Sequence, residues 1–165
     1  MDTPVTRFLD QHGIPYVIKR HSQPVYTCED AARERGVRLS QIVKTMVGRD
    51  PNGGLHIMLI PGDRTLKLRR VRHYADGARV ELLPPDQIRH QLGVTVGAIS
   101  PTQFVGRARF YIDRGLLSEP VVDISAGRPD AGVELRAQDL QRVLHALECD
   151  IVSTSKQSPP DSNGR

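Results

Sequence analysis

The chain has 165 residues, 38% of them hydrophobic and 25% charged, with a formal net charge of +4 and a pI near 9.4. That size suits one domain burying about two-thirds of its unfolded surface, and no apolar run approaches the roughly 20 residues that a membrane-spanning helix needs. Cys28 and Cys149 make neither a disulfide framework nor a C-x-x-C pair, and Met1-Asp2-Thr3-Pro4 lacks the basic and apolar regions of a signal peptide, so a cytoplasmic protein with no membrane partner is expected.

The first predicted element is a helix capped by Thr3, with Pro4 in its first turn and Val5, Phe8 and Leu9 on one face before Gly13. Residues 16–20 read as a strand, and Thr27-Cys28-Glu29-Asp30 opens a second helix ending at Gly36. Residues 42–48 and 55–60 read as strands joined through Asp50-Pro51-Asn52-Gly53-Gly54, where Asn-Gly is a strong hairpin signal. Pro61-Gly62-Asp63-Arg64 is a turn. After it comes a basic segment, Lys67, Arg69, Arg70 and Arg72, in which helix and strand periods compete. Residues 79–82 form a short strand, and Pro84 and Pro85 start a helix that Gly93 stops. Further strands are expected over 110–113, 121–125 and 133–136, and a helix over 137–147 with Leu140, Val143, Leu144 and Leu147 on one face. Residues 153–165 are rich in Ser, Pro, Asn and Gly and are expected to be disordered, which leaves 1–152 as the domain. This irregular mixture of strands and helices, with at least one hairpin, argues for an α/β chain of the α+β type. A mixed sheet with peripheral helices fits it, and a doubly wound parallel fold does not.

Lys44 stands out within Gln41-Ile42-Val43-Lys44-Thr45-Met46-Val47. A lysine is rarely buried without a partner, because desolvating an ammonium is costly. Alone, it reads as an edge-strand lysine snorkelling to solvent. Two later segments favour a ligand: Gly97-Ala98-Ile99-Ser100-Pro101 is a small rigid loop, and Asp123-Ile124-Ser125-Ala126-Gly127 ends another strand. A cation beside loops rich in exposed backbone N–H groups suits phosphate and carbonyl oxygens. Other chemistries find little support. Ser100 and Ser125 are not in Gly-x-Ser-x-Gly. The histidines at 12, 21, 56, 73, 90 and 145 show no metal-ligand spacing, so neither a metal nor a cofactor is expected. There is no phosphate-loop or dinucleotide fingerprint. The basic segment reads as a solvated helix face or as a phosphate-contacting patch, and scarce aromatics argue against extended base stacking.

Ile42-Val43-Lys44-Thr45, Ile60-Pro61-Gly62-Asp63, Gly97-Ala98-Ile99-Ser100-Pro101, Ile124-Ser125-Ala126-Gly127, Gln138-Asp139-Leu140 and Asp150-Ile151-Val152 together resemble the YbaK/prolyl-tRNA synthetase-associated editing domains. Order and spacing agree from about Val5 to Val152; relatives often carry glycine two residues after the proline, where this chain has Gln103. The resemblance implies a compact, partly barrel-like sheet. It also implies hydrolysis in trans of the ester on mischarged aminoacyl-tRNA of prolyl or cysteinyl type. Lys44 is then the essential lysine, and residues 97–101, with Asp123, Ser125 and Gly127, shape the amino-acid pocket. His21 and Thr27 fall near positions flanking it, though a turn residue and a helix cap describe them equally well. Lys67, Arg69, Arg70 and Arg72 would hold the tRNA acceptor end, and a ribose hydroxyl of the substrate would help activate water. The implied partners are aminoacyl-tRNA and an aminoacyl-tRNA synthetase. The competing possibility is a non-catalytic tRNA- or nucleotide-binding module on the same fold. Relatives divide among cysteinyl, alanyl and hydroxylated aminoacyl esters.

Overall fold

The computed structural model describes residues 1–94 and 97–154. The disorder expected for 153–165 therefore lies, from residue 155 on, outside the described residues. Helix α1 (Pro4–Gln11) is capped by Thr3, whose hydroxyl accepts from the Thr6 N–H, and it buries Val5 and Leu9. Strand β1 (Val17–Arg20) follows, then α2 (Cys28–Arg35), capped by Thr27 and ended by Gly36 in the left-handed region. A 3-10 turn (Leu39–Gln41) leads into β2 (Val43–Arg49) and β3 (Leu55–Pro61), an antiparallel pair with Lys44 opposite Ile60.

Their connection owes as much to Asp50 as to Asn52-Gly53. The Asp50 carboxylate accepts from the backbone N–H groups of Asn52 and Gly54 and from His56 Nε2, while His56 Nδ1 meets the Tyr111 hydroxyl at 2.8 Å. Those bonds hold the Asp50 carboxyl below its ordinary pKa, the His56 contact foremost.

The basic segment resolves as helix α3 (Leu68–Tyr74). Beyond it lie β4 (Glu81–Leu82), α4 (Pro85–Leu92), a 3-10 turn (Pro101–Phe104), β5 (Ala108–Asp113), α5 (Arg114–Leu117), β6 (Val121–Arg128) and β7 (Ala131–Arg136). Helix α6 (Ala137–Leu144) is shorter than expected. His145 adopts φ 52° at its end, and Leu147 passes into β8 (Leu147–Cys149), paired in parallel with β5. A left-handed histidine carries no glycine-like signal in sequence.

The strands form a three-stranded sheet, β1-β7-β6, and a five-stranded sheet, β4-β2-β3-β5-β8, with mixed polarity in the second. The α+β expectation holds. No closed barrel forms among the described residues; the sheets meet at a parallel bridge between Ile42 and Asp123. Strand β3 is apolar except for the buried His56, because both of its faces are covered. Ile57 and Leu59 join the larger core, which reaches α1, β6 and β7, while Met58 and Ile60 join a second core under α3.

Asp113 ends β5 and fixes the surrounding chain: its carboxylate accepts from the Gly115 N–H and, at 3.0 Å, from the buried Ile151 N–H. Asp113→Ala should cost about 2–4 kcal/mol in urea unfolding, because it strips partners from these N–H groups. A loss under about 0.5 kcal/mol would show that water replaces the carboxylate.

Candidate active site

The bridge between the sheets sets the position of a cavity of about 220 Å³. Strand β2 supplies Lys44 and Thr45; the segment leading into α2 supplies Val25, Tyr26 and Thr27; and α2 supplies Cys28, Ala31 and Arg35. Gly97 and Ile99 close one side, and Asp123 and Ser125 come from β6.

Strand alternation puts Lys44 on the same face as Met46, at the end of the apolar row made with Met58 and Ile60. It is half-buried, and its Nζ donates to the Arg64 carbonyl at 2.9 Å. The turn after β3 thus holds the ammonium at the cavity. Gly62 makes this turn fit: a Cβ there would stand 2.8 Å from the Leu39 carbonyl and 3.2 Å from Ile42 Cβ.

Beneath the cavity lies an ion pair removed from solvent. Arg35 Nη1 donates to Asp123 Oδ1 at 2.7 Å, with the side chains 4% and 0% exposed. The guanidinium also donates to the Ala131 carbonyl and, at 3.4 Å, to His21 Nε2. His21 Nδ1 lies 2.6 Å from the Gln23 carbonyl, so its proton sits on Nδ1 and Nε2 accepts from Arg35. Gly132 makes room for the pair, since a Cβ there would come within 2.6 Å of both Arg35 and Asp123. Burial outweighs the attraction of Arg35 and pushes the Asp123 carboxyl up to about 6, leaving it largely ionised at neutral pH. Its Oδ2 is buried without a hydrogen-bond partner.

The loop at residue 97 is held by its own side chains. Gln103 accepts from the Ser100 N–H at 2.8 Å and donates to the Ala98 carbonyl at 3.2 Å, so this residue braces the loop from within. Gly97 has φ 86°, and a Cβ would stand 2.6 Å from the Val25 carbonyl; both facts require glycine. The Ser125 hydroxyl donates to the Gly97 carbonyl at 3.3 Å and accepts from the Gly127 N–H, tying β6 to the loop. Burial raises the Cys28 thiol above its ordinary pKa, which disfavours the thiolate.

Of the residues expected from sequence, Lys44, Thr27, Gly97, Ile99, Asp123 and Ser125 line the cavity together. Ala98, Ser100 and Pro101 are buried in the loop behind it, and Gly127 and His21 brace its frame. Lys67, Arg69, Arg70 and Arg72 are exposed on the α3 side, starting three residues after the Arg64 carbonyl that holds Lys44. Arg70 pairs with Asp150 at 3.0 Å, and Arg72 donates to the Gly77 carbonyl. Sequence reasoning missed Arg35, Ala31, Val25, Tyr26 and Cys28. The strand glycine in Ala131-Gly132-Val133 is the signal that could have pointed to a large neighbour. Among the described residues no cluster of three or more His, Cys, Asp or Glu is placed to hold a metal ion, and no helix is long and apolar enough to cross a membrane.

Residues 22–143 match the aminoacyl-tRNA editing domain. The chain belongs to this family. Among editing-domain relatives, a protein of Enterococcus faecalis named as a candidate Cys-tRNA(Pro)/Cys-tRNA(Cys) deacylase, EbsC, is 24% identical over 153 residues, covering 92% of this chain and 93% of that one. The proline–tRNA ligase of Thermosipho melanesiensis is 29% identical over 98 residues, 58% of this chain. That match spans only 17% of the ligase's length. A solved structure of a hypothetical protein superposes with a TM-score of 0.83 at 28% identity, covering 90% of this chain and 99% of that one. That of a candidate trans-editing enzyme for prolyl-tRNA synthetase gives 0.76 at 24% identity, over 93% and 99%, and speaks for the fold.

Removing Arg35 tests the electrostatics of the cavity floor. A raised carboxyl pKa gives stability that is full below the unfolded value of 3.8 and is lost as pH rises through about 6. In Arg35→Met the attraction is gone and the folded pKa rises further. The variant should therefore be about 3–5 kcal/mol less stable than wild type at pH 7, with a smaller deficit at pH 5. An equal deficit at both pH values would show that losing Arg35 does not change the charge on Asp123 between pH 5 and pH 7.

Proposed function

We propose that residues 1–152 form an aminoacyl-tRNA deacylase that acts in trans in the cytoplasm, hydrolysing the ester on mischarged tRNA of prolyl or cysteinyl type. The observation that carries this reading is Lys44 held at the mouth of a small, mostly apolar cavity within an editing-domain fold. An aminoacyl ester is already activated. The protein need only orient it, shut out competing groups and stabilise the oxyanion that forms as water adds to the carbonyl carbon. The Lys44 ammonium, held by the Arg64 carbonyl, sits ready to meet that charge. The carbonyl carbon then loses the 3′ oxygen of the terminal adenosine, which leaves with a proton. Ser125 spends its hydroxyl on the Gly97 carbonyl and has no histidine partner, so it is a wall residue and not a nucleophile. The chain's relation to a protein named for Cys-tRNA deacylation and to a segment of proline–tRNA ligases supports the substrate class.

Single-turnover discharge of a panel of mischarged tRNAs tests the proposal. Wild-type protein should release amino acid, and Lys44→Ala should slow release by about 10²-fold or more while circular dichroism stays unchanged. A wild-type protein that binds charged tRNA without discharging any would be the non-catalytic module instead. Near-normal turnover in Lys44→Ala would remove Lys44 from the mechanism.

The exposed basic stretch gives a second test. Neutralising Lys67 and Arg69 should raise KM for tRNA and flatten the dependence of log(kcat/KM) on log[salt], by about one in slope for each tRNA phosphate that the variant no longer neutralises. An unchanged slope would make the stretch an ordinary solvated face.

A further inference from the structure

The cavity is graded in depth. Thr27 and Tyr26 are exposed at its rim, and Lys44 is half-buried, whereas Asp123 is 1% exposed at the floor. An ester joined to a tRNA cannot descend to that floor, because the nucleotide must stay outside. With the carbonyl at Lys44, the part of the substrate that reaches deepest is the amino-acid side chain. The cavity walls include the apolar Ala31 and Ile42, and beside Arg35 stands Asp123, whose Oδ2 is buried without a hydrogen-bond partner. The other oxygen is held by Arg35, which Gly132 lets pack against it, and no group among the described residues hydrogen-bonds Oδ2.

We propose that Asp123 is the specificity-determining residue of the cavity, accepting a hydrogen bond through Oδ2 from the side-chain hydroxyl of a small aminoacyl group. This rests on the deacylase reading given above. A buried lone acceptor favours a side chain that donates and disfavours an isosteric methyl, which would leave the oxygen unpaired. A thiol is a weaker donor and would gain less. The serine side chain and that of 2-aminobutyrate differ only by hydroxyl for methyl, so the pair isolates this contact.

The test charges one tRNA with serine, 2-aminobutyrate or alanine and measures kcat/KM for release. Wild type should favour seryl over 2-aminobutyryl by roughly 10- to 100-fold, the effect of one hydrogen bond to a charged group. In Arg35→Met/Asp123→Leu, which removes both charges together, the ratio should fall to within about threefold of unity. Asp123→Asn, which keeps a carbonyl oxygen for Arg35, should also lower the ratio and serves if the double variant does not fold. Equal wild-type rates for seryl and 2-aminobutyryl esters would overturn the assignment while leaving the deacylase reading intact. So would a uniform loss on all three esters in Asp123→Asn, the pattern expected if Oδ2 held the α-ammonium that every substrate carries. Failure of wild type to discharge any ester would instead remove the deacylase reading and this assignment with it.

Discussion

The buried contact between Arg35 and Asp123 organises this molecule. It joins α2 to β6 across the seam where the two sheets meet, beside the Ile42–Asp123 bridge. Taking both charges out of water is expensive, and a well-packed apolar pair would often be as stable. The surroundings nevertheless accommodate the pair closely. Gly132 gives up its side chain to admit it, the Ala131 carbonyl accepts from the guanidinium, and His21 is turned by Gln23 to accept as well. Such provision makes sense if the pair serves the cavity above it more than stability. It places a fixed negative oxygen at the floor of an otherwise apolar space.

Lys44 marks the other end of that space. Its strand runs from the inter-sheet seam into a mixed sheet covered on both faces, and Lys44 sits where the apolar row gives way to the turn after β3. The cation is therefore neither deeply buried nor loose. Cavity depth, with a cation at the mouth and a carboxylate at the base, divides the labour expected of an editing site. In the proposed mechanism the mouth would handle the ester common to every substrate, and the floor would read what differs between them. The loop at 97–101 contributes shape more than direct contact. Gln103 and Ser125 hold it from behind, and only Gly97 and Ile99 of the loop reach the cavity.

The elements legible in sequence were those with local causes. Thr3 and Thr27 as caps, Gly36 and Gly93 as stops, and the hairpin around Asn52-Gly53 all follow from chain-local chemistry. Lys44 was legible because a charge inside an apolar run contradicts its neighbours. Arg35 was not. It stands beside Arg33 in the last turn of a polar helix, where either cation would suit the helix dipole, and only the tertiary approach of β6 distinguishes them. The walls at Val25, Tyr26, Cys28 and Ala31 were hidden for the same reason, since their role comes from packing against β2 and β6. The end of α6 at His145 and the strand β8 were illegible because a non-glycine left-handed residue is fixed by its surroundings.

The most direct measurement is a crystal structure with a hydrolysis-resistant analogue, seryl-3′-amino-3′-deoxyadenosine, in which an amide replaces the labile ester. The adenosine should lie outside the rim, the acyl carbonyl beside Lys44 Nζ, and the serine hydroxyl within hydrogen-bond distance of Asp123 Oδ2. An analogue bound with its side chain turned to solvent, or seated away from this cavity, would contradict that division of labour between mouth and floor.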